Sequence, residues 1–345
     1  MINAAVVGFG YAGRSFHSYL IGLAEGLNLY AISTRSEEHQ EEAAEEHPGA
    51  KIYSSLDALL ADDEVDLVVL ATPHYTHHDL AIKAMDAGKH VVVDKIMCMN
   101  AQEAGEMIEA SECNDVVLSV FHNRRWDWDY LTVKEVIEDG LLGDPYLFEV
   151  AIMRYGPPRG WRGVKAQSGG ILYDWPAHFV DQALQLVPAE VESVFCDIKY
   201  RDLWDIDIGN YGNLLIRFAN DVLYQIEISN LATIEKPRWY VLGDRGGLIK
   251  YGLDPQEPAM LEGDIDAATE DPAHRARVCT MVEGEREEMV MESVKGSWRS
   301  YYRNISKVLN EGAELAVKPQ EVYAAMRVFD AAMQSAETGR VVKLT

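Results

Sequence analysis

The sequence of 345 residues predicts an α/β protein with two parts: a doubly wound parallel sheet, and an α+β domain with an open-faced, mostly antiparallel sheet. Three observations support this fold class. A glycine-rich motif follows the first apolar run, apolar runs alternate with helical patterns over the first third of the chain, and polar and apolar residues alternate in later strand-like runs. Continuous apolar runs are typical of parallel strands covered on both faces, whereas alternation is typical of antiparallel strands with one covered face.

The first strand and the motif after it indicate a nucleotide site. The run Ala4–Val7 leads into Gly8-Phe9-Gly10-Tyr11-Ala12-Gly13, and a helical stretch follows from Arg14 to Leu23. Glycines at these three positions permit a tight turn, close approach of the backbone to a pyrophosphate, and close packing of the helix on the strand. The helix N-terminus favours phosphate. The alternative is a glycine-rich turn without a ligand. We predict a Rossmann dinucleotide site that includes Gly8, Gly10, Tyr11, Ala12 and Gly13.

Four further apolar runs complete the predicted parallel sheet, and helical patterns separate them. We expect strands at 29–33, 67–71, 91–93 and 116–121, with helices at 80–87 and 101–113. The length favours two domains rather than one. The dinucleotide-binding Rossmann domain is therefore predicted to cover residues 1–122, and a substrate-binding and oligomerisation domain residues 123–345.

The second domain is predicted to be a sheet with helices on one face. A helix is expected at 130–139, strands at 146–153, 191–199, 211–218, 222–229, 239–242 and 248–251, and helices at 298–311 and 319–339. The segment 254–272 reads as a surface loop. Tyr224, Ile226 and Ile228 lie on one side of a strand and are assigned to the uncovered face. A symmetric homo-oligomer follows from that assignment.

Composition excludes several classes of partner. The formal net charge of −25 argues against nucleic acid or an anionic membrane, because both require positive patches. The four cysteines have no zinc-site spacing, so no metal is expected, and a reducing compartment fits them best. The opening residues contain no signal-peptide pattern, and no apolar run approaches ~18 residues. We expect a cytoplasmic protein that acts on a small molecule.

The end of the second strand indicates which cofactor binds. An acid there would accept a hydrogen bond from the ribose 2′-hydroxyl of NAD. This chain has Ser33, Thr34 and Arg35 instead, and no carboxylate until Glu37. Two hydroxyls and a planar cation suit a 2′-phosphate. We predict NADP, with NAD possible; the alternative is a surface loop that carries an arginine by chance.

Two more strand ends carry polar side chains. Thr72, Pro73, His74 and His77 follow the predicted strand 67–71, and Asp94-Lys95 follow the predicted strand 91–93. Ligands of open α/β sheets lie outside the carboxyl ends of the strands, so these residues are candidates for the cofactor site and the cleft. His77 alone is as consistent with a packing or helix N-terminal role, and Lys95 with a solvated loop.

The run from Gly169 to His178 is the sharpest pattern of the second domain. Asp174 is expected to cap a helix whose first turn contains Pro176. Asp174 and His178 are four residues apart and share one helix face, so the acid can orient the imidazole. The alternative is a capping aspartate and a hydrogen-bonded core histidine.

The loop 154–162 is a candidate for the substrate side of the cleft. Tyr155, Trp161 and Arg162 provide aromatic faces and a guanidinium, which suit hydroxyl-rich ligands through stacking and planar hydrogen bonding. An interface arm between subunits is the alternative.

These segments together resemble the Gfo/Idh/MocA family of NAD(P)-dependent sugar and polyol dehydrogenases. The matching stretches run almost from end to end: Gly8–His17, Ala71–Pro73, Gly88–Lys95 and Gly169–His178. Two others, Ser119–Asp127 and Lys250–Glu257, are more specific and resemble the branch that contains NADP-dependent scyllo-inositol dehydrogenase. The resemblance implies two domains with an open-faced sheet, assembled as a homodimer or homotetramer.

The resemblance also implies roles. Lys95 aligns with the lysine of the family's E-K-P motif, and Asp174 and His178 align with its D-x-x-x-H pair. His178 is then the general base on the reacting hydroxyl, Lys95 stabilises the oxygen, and Asp174 supports the charge network, so that all three contact substrate. Asp94 and Arg124 lie in matching stretches and are assigned to the cofactor site.

Two departures from the family pattern bear on this assignment. Ile96 replaces the proline after the lysine, which removes a fixed φ and an inexpensive cis bond. His74 replaces the asparagine after Thr-Pro, which changes contacts near the ribose or nicotinamide.

The function implied is NADP-dependent oxidation of a secondary hydroxyl on a cyclic polyol or sugar, with a scyllo-inositol-like substrate as the best single choice. One alternative is an aldose 1-dehydrogenase or keto-sugar reductase. Another is a non-catalytic NADP-binding regulator, which would not need a proton-transfer set.

Overall fold

The structure is a computed structural model that describes residues 1–344, and it divides into two compact units. The first unit comprises Met1–Asn123 and Trp298–Met326. The second comprises Arg124–Ser297 and the residues from Arg327 onward. The chain thus leaves the first unit after Asn123 and returns to it at Trp298.

The first unit is built on a six-stranded parallel sheet of the Rossmann type, which confirms the predicted fold class. The strand order is β3-β2-β1-β4-β5-β6, so the order reverses between β1 and β4, and ligands of such sheets bind outside that point. The strands are β1 (Ile2–Val7), β2 (Leu27–Ser33), β3 (Lys51–Tyr53), β4 (Leu67–Leu70), β5 (His90–Val93) and β6 (Leu118–Val120).

Helices connect the parallel strands. The glycine motif leads into a π-helix, Ala12–Ser18, which continues as α1 (Tyr19–Gly22). Side-chain caps fix where three of the others begin: Ser36, Ser55 and Asn100 each accept a backbone N–H three residues on. The remaining helices are α2 (Glu37–Glu46), α3 (Leu56–Leu60), α4 (His77–Asp86) and α5 (Ala101–Cys113).

The second unit contains a nine-stranded sheet, ordered β14-β13-β12-β11-β7-β10-β9-β8-β15. Every neighbouring pair is antiparallel except β7 and β10, which is the mostly antiparallel sheet that the sequence predicts. Its elements begin with α6 (Trp128–Glu138), β7 (Pro145–Met153), α7 (Lys165–Ser168), α8 (Pro176–Leu186), β8 (Val191–Lys199), β9 (Tyr211–Phe218) and β10 (Leu223–Ser229). They continue with β11 (Trp239–Gly243), β12 (Gly246–Lys250), α9 (Gln256–Leu261), β13 (Ala276–Val282) and β14 (Glu285–Met291).

Two long helices and a short strand follow: α10 (Arg299–Glu311), α11 (Pro319–Thr338) and β15 (Val342–Lys343). Helix α10 belongs to the first unit, where Trp298 stacks on Phe16 with ring centroids 5.6 Å apart. Within residues 1–344, no helix is long and apolar enough to cross a membrane.

Two local expectations are wrong. Tyr224, Ile226 and Ile228 do not face outward: all three are fully buried, and Tyr224 stacks on Phe148 with ring centroids 5.3 Å apart. The half-exposed residues of β10 are instead Leu223 and Gln225, because successive side chains point to opposite faces.

The predicted surface loop 254–272 is the second error. It contains α9, and both Asp254 and Gln256 are buried. Proline, glycine and acids dominate its composition, but the aspartate at its start accepts hydrogen bonds from within the segment and holds it against the unit.

Candidate functional site

The glycine motif forms a close-packed turn with one open side. Gly8 has a φ of +95°, and a Cβ there would lie 2.5 Å from the carbonyl oxygen of Ala71. A Cβ on Gly13 would lie 1.9 Å from the carbonyl oxygen of Gly8, so only glycine fits at either position. Nothing lies within 4 Å of the Cβ position of Gly10. The first and third glycines are thus needed for packing, and the second leaves the open space that a pyrophosphate requires.

A cavity of about 600 Å³ opens beside this turn. Gly8, the residues after β2 (Ser33, Thr34 and Arg35) and the residues after β4 (Thr72 and Pro73) line it, so the structure brings together the sequence-predicted residues of three strand ends. Ser33 and Thr34 are buried, whereas Arg35 is exposed. No carboxylate follows β2 directly, and the donor set is suited to an anionic group.

Sequence reasoning missed several polar residues that line the same cavity, among them Ser36, Ser55, Asp57 and Lys83. Lys83 lies on α4 and forms an ion pair with Asp57 on α3. No local pattern connects the two helices, because they meet only when β3 and β4 take their places in the sheet.

The loop after β5 carries Lys95, which is half-buried. The carboxylate oxygen Oδ1 of Asp94 accepts the backbone N–H of Lys95 at 2.9 Å. The peptide bond between Lys95 and Ile96 is cis, and the Ile96 side chain is buried.

His77 connects this loop to the loop after β4. Its Nδ1 lies 2.8 Å from the carbonyl oxygen of Ile96, and its Nε2 lies 2.9 Å from the carbonyl oxygen of Thr72. Burial lowers the pKa of the His77 ring, and a neutral ring donates to one of these oxygens only. His74 is also buried, with its ring centroid 5.8 Å from that of His77, while Tyr11 is exposed beside the glycine turn.

In the second unit, Asp174 and His178 lie at the start of α8. The expected cap is wrong: Trp175 occupies the N-cap position, and no side chain caps the helix. Asp174 instead accepts a hydrogen bond at 3.0 Å from Nη2 of Arg154, whose Nε donates to Asn230 at 3.1 Å. Arg154 begins the loop 154–162, which the sequence predicts to be a candidate for the substrate side, whereas the sequence did not single out Asn230. His178 is buried on α8, four residues beyond Asp174, which precedes the helix.

Arginines hold the start of α8 in place. Arg125 makes two hydrogen bonds to Asp181 at 2.8 and 2.6 Å, a bidentate geometry. The Arg124 guanidinium lies 4.2 Å from the ring centroid of Trp175 and pairs with Asp127 and Glu257 at 3.1 Å each. The assignment of Arg124 to the cofactor site stays a prediction, and within its own unit the residue supports α8.

The loop 154–162 presents aromatic surfaces. Tyr155 is exposed, and its ring meets that of Trp204 edge-on at 5.8 Å. The Arg162 guanidinium lies 4.5 Å from the ring centroid of Trp161. The sequence did not single out Trp204, which lies about 50 residues further along the chain.

Three buried carboxylates, those of Asp127, Asp129 and Asp254, lie within 4.8 Å of one another. Protein donors already engage them: Arg124 binds Asp127, Arg238 and Trp239 bind Asp129, and the Trp128 N–H binds Asp254. Burial raises the pKa of Asp127 well above its ordinary value and, with Asp129 nearby, raises the pKa of Asp254 to about 6. The three buried carboxyl groups are thus held by protein donors.

Comparison with known proteins agrees with this architecture. Residues 2–122 match the family model for the NAD-binding Rossmann fold of Gfo/Idh/MocA oxidoreductases, and residues 134–344 match the model for the C-terminal α/β domain of that family. The chain therefore belongs to the Gfo/Idh/MocA oxidoreductase family.

Named relatives cover nearly the whole chain. The scyllo-inositol 2-dehydrogenase (NADP(+)) IolW of Bacillus subtilis is 31% identical over 99% of this chain and 96% of its own length. The myo-inositol 2-dehydrogenase of Thermotoga maritima is 28% identical over 99% of this chain and 98% of its own. The solved structure of the oxidoreductase yvaA from Bacillus subtilis superimposes with a TM-score of 0.89 at 30% identity, covering 100% of both chains.

Proposed function

We propose that this oxidoreductase is an NADP-dependent dehydrogenase that oxidises a secondary hydroxyl of a cyclic polyol or sugar, with a scyllo-inositol-like compound as its substrate. The observation that carries the proposal is the pair Asp174, just before α8, and His178, in its first turn, with Asp174 bound by Arg154, in a chain that also has a glycine turn with room for a dinucleotide. A relative that acts on scyllo-inositol with NADP(+) supports the choice of substrate and cofactor.

The cofactor would be held by the first unit. Gly8, Gly10 and Gly13 fit its pyrophosphate, because the turn is closed on one side and open above Gly10. Ser33, Thr34 and Arg35 provide hydroxyls and a cation for the 2′-phosphate. When bound, the nicotinamide supplies the acceptor for the hydride.

The proton chemistry belongs to the protein. His178 Nε2 or Nδ1 takes the proton of the reacting hydroxyl, and the Asp174 carboxylate stabilises the imidazolium that results. The Lys95 ammonium stabilises the oxygen as its negative charge grows. Arg154 orients the Asp174 carboxylate through a charge-assisted hydrogen bond.

Other reactions on the same fold remain as alternatives. A D-glucoside 3-dehydrogenase of Escherichia coli, 26% identical over 99% of this chain, shows that relatives differ in the sugar named, so an aldose 1-dehydrogenase or keto-sugar reductase is the first alternative. A non-catalytic NADP-binding regulator is the second. The presence of Lys95, Asp174 and His178 disfavours this regulator, because a protein that only senses NADP needs no residues for proton transfer.

A substrate screen distinguishes these functions. Initial rates are measured with scyllo-inositol, myo-inositol, aldoses and glucosides, each with NADP and with NAD, by the absorbance of the reduced cofactor. We expect the highest kcat/KM for a cyclic polyol with NADP. A higher kcat/KM for an aldose would favour the first alternative, and tight NADP binding without turnover of any compound would favour the regulator.

The proposal includes a cytoplasmic homo-oligomer, a dimer or tetramer, with no nucleic-acid or membrane partner. The net charge of −25 supports the exclusion of polyanionic partners. Within the part of the chain that the structure describes, the four cysteines form no disulfide, in keeping with a reducing compartment.

A further inference from the structure

We propose that His17 and Tyr302 form a buried pair that orients the Asp94 carboxylate and thereby positions Lys95. These residues lie on three elements of the first unit: His17 on the π-helix that follows the glycine motif, Tyr302 on α10, and Asp94 directly after β5. The inference rests on the proposed function, because it concerns how Lys95 is held ready for the reaction.

The pair is enclosed by aromatic rings. His17 and Tyr302 are both fully buried. The His17 ring lies 4.5 Å from that of Phe121, centroid to centroid, and meets the Tyr302 ring nearly at a right angle at 6.1 Å. With rings on two sides, the imidazole has little freedom to turn over, so its two nitrogens keep different neighbours.

The neighbour of Nδ1 fixes the tautomer. Nδ1 of His17 lies 2.6 Å from the hydroxyl oxygen of Tyr302. Burial raises the pKa of the Tyr302 phenol well above its ordinary value, so the phenol keeps its proton, and because the Asp94 carboxylate beside Nε2 can only accept, the arrangement that suits both nitrogens has the phenol donating to Nδ1. A neutral imidazole that accepts at Nδ1 carries its own hydrogen on Nε2.

That hydrogen faces Asp94. Nε2 of His17 is buried and makes no hydrogen bond to any residue of the described chain, and Oδ1 of Asp94 lies 3.6 Å from it. This separation exceeds that of a normal hydrogen bond, so the interaction is an electrostatic one between an N–H dipole and a carboxylate. The same Oδ1 accepts the backbone N–H of Lys95 at 2.9 Å. One oxygen therefore links the histidine to the lysine loop.

The charged and titratable groups that face Asp94 are His17, His77, Tyr302 and the Lys95 ammonium. Burial opposes ionisation of Asp94, but His17, Lys95 and His77 together hold the pKa of its carboxyl below its ordinary value. The carboxylate thus stays ionised at neutral pH. Without His17, it loses the first of these favourable partners, and Lys95 loses a fixed counter-charge and a fixed backbone anchor.

The direct test reads the tautomer without any turnover. 15N chemical shifts of histidine-labelled protein report which ring nitrogen carries the proton, and the His17 signals are assigned by their loss in His17→Gln. We expect the proton on Nε2 in the wild type, with and without NADP. A proton on Nδ1 of His17 in the wild type overturns the proposal, whatever the activities of the variants.

The second test uses neighbouring tyrosines on α10. Tyr302→Phe removes only the hydroxyl that fixes Nδ1, and Tyr301→Phe is the matched control, because Tyr301 is equally buried but donates to Ser119 at 3.0 Å. Loss of one oriented hydrogen bond should lower kcat about three- to tenfold in Tyr302→Phe. KM and NADP affinity should change less than twofold, and Tyr301→Phe should keep the wild-type kcat.

The pH profile separates positioning from simple destabilisation. We expect the alkaline limb of the kcat/KM profile to move to lower pH in Asp94→Asn, because that variant removes the negative charge beside the Lys95 ammonium. An unmoved limb, or equal losses of kcat in Tyr302→Phe and Tyr301→Phe, would show that the pair is only structural. If Lys95→Met turns over normally, the proposed function of Lys95 fails, whereas the tautomer measurement still decides the arrangement of the pair.

Discussion

Arg154 donates a hydrogen bond to Asp174 across 3.0 Å, from a residue just after β7 to one just before α8. The guanidinium is fixed from its other side by Asn230, which accepts from Nε at 3.1 Å. Asp174 is thus oriented by a strand end instead of capping its own helix. The carboxylate that we propose to support His178 is thus bound by a residue 20 positions earlier in the chain.

Replacing this arginine should impair turnover. In Arg154→Met, Asp174 loses a charge-assisted partner at a partly exposed site, and kcat should fall roughly tenfold, since such hydrogen bonds contribute about 1.5 kcal/mol or more. Arg159→Met, in the same loop and exposed, is the matched control and should keep its kcat. Steady-state kinetics measure kcat for both variants. Equal losses of kcat in Arg154→Met and Arg159→Met would contradict the role of Arg154.

His178→Ala should remove the general base. We expect kcat to fall roughly 10²–10⁴-fold while NADP affinity, measured by fluorescence titration, stays unchanged. His274→Ala, in the same unit, is the control and should behave as the wild type. Near-normal turnover by His178→Ala would remove this residue from the mechanism.

Arg35→Ala should change cofactor preference. A charge-assisted bond from Arg35 to the 2′-phosphate contributes about 1.5–3 kcal/mol, which corresponds to roughly ten- to a hundredfold in favour of NADP. The variant should have a lower kcat/KM with NADP and an unchanged kcat/KM with NAD. Arg217→Ala, an exposed arginine of β9, is the control. Equal losses with both cofactors would show that Arg35 does not read the phosphate.

The buried acid Asp254 predicts a specific pH dependence of stability. Burial raises the pKa of Asp254 from 3.8 to about 6, so the folded protein binds this proton more tightly than the unfolded chain. The resulting stability is complete below pH 4 and is lost as the pH rises through 6. Two pKa units correspond to about 3 kcal/mol.

Asp254→Asn isolates this effect. Denaturant unfolding of the wild type and the variant, from pH 4 to pH 7.5, should show the wild type losing up to about 3 kcal/mol relative to the variant. A constant difference between the two proteins over this range would show that Asp254 is already ionised at pH 4.

The open face of the nine-stranded sheet supports self-association. Half-exposed apolar residues of that face include Leu147, Leu215 and Leu223 on neighbouring strands. We expect a symmetric dimer or tetramer at micromolar concentration, measured by light scattering, and dissociation in Leu215→Glu. A wild-type protein that is monomeric under these conditions would contradict the expectation.

The fold could be predicted from sequence where the pattern of polar and apolar residues is strong. The prediction failed where that pattern is weak. β3 was missed because Lys51–Tyr53 is only three residues long and none of its residues is fully buried. β13 and its partner β14 were both missed. β14 carries the run Glu285-Arg286-Glu287-Glu288, and because it is exposed, charged residues replace the alternation of polar and apolar side chains. Tyr224 was placed on the wrong face because alternation separates two faces without saying which one is covered.

The candidate site could likewise be predicted only where a local sequence pattern specifies its residues. Gly8, Gly13 and the residues after β2 and β4 could be predicted, since a short motif and the strand ends specify them. His17 and Tyr302, which are 285 residues apart, could not be paired from sequence, because their contact requires α10 to fold against the first unit.

The return of the chain to the first unit has a consequence for the order of folding. During synthesis the parallel sheet emerges first, but Phe16 lacks the Trp298 ring that stacks on it, and Ser119 lacks the Val317 carbonyl to which it donates at 3.0 Å. Both partners arrive only after the whole of Arg124–Ser297 has been made. The first unit begins the chain, yet its last buried contacts come from Trp298–Met326, so a nascent chain cannot complete the first unit until Arg124–Ser297 has been made.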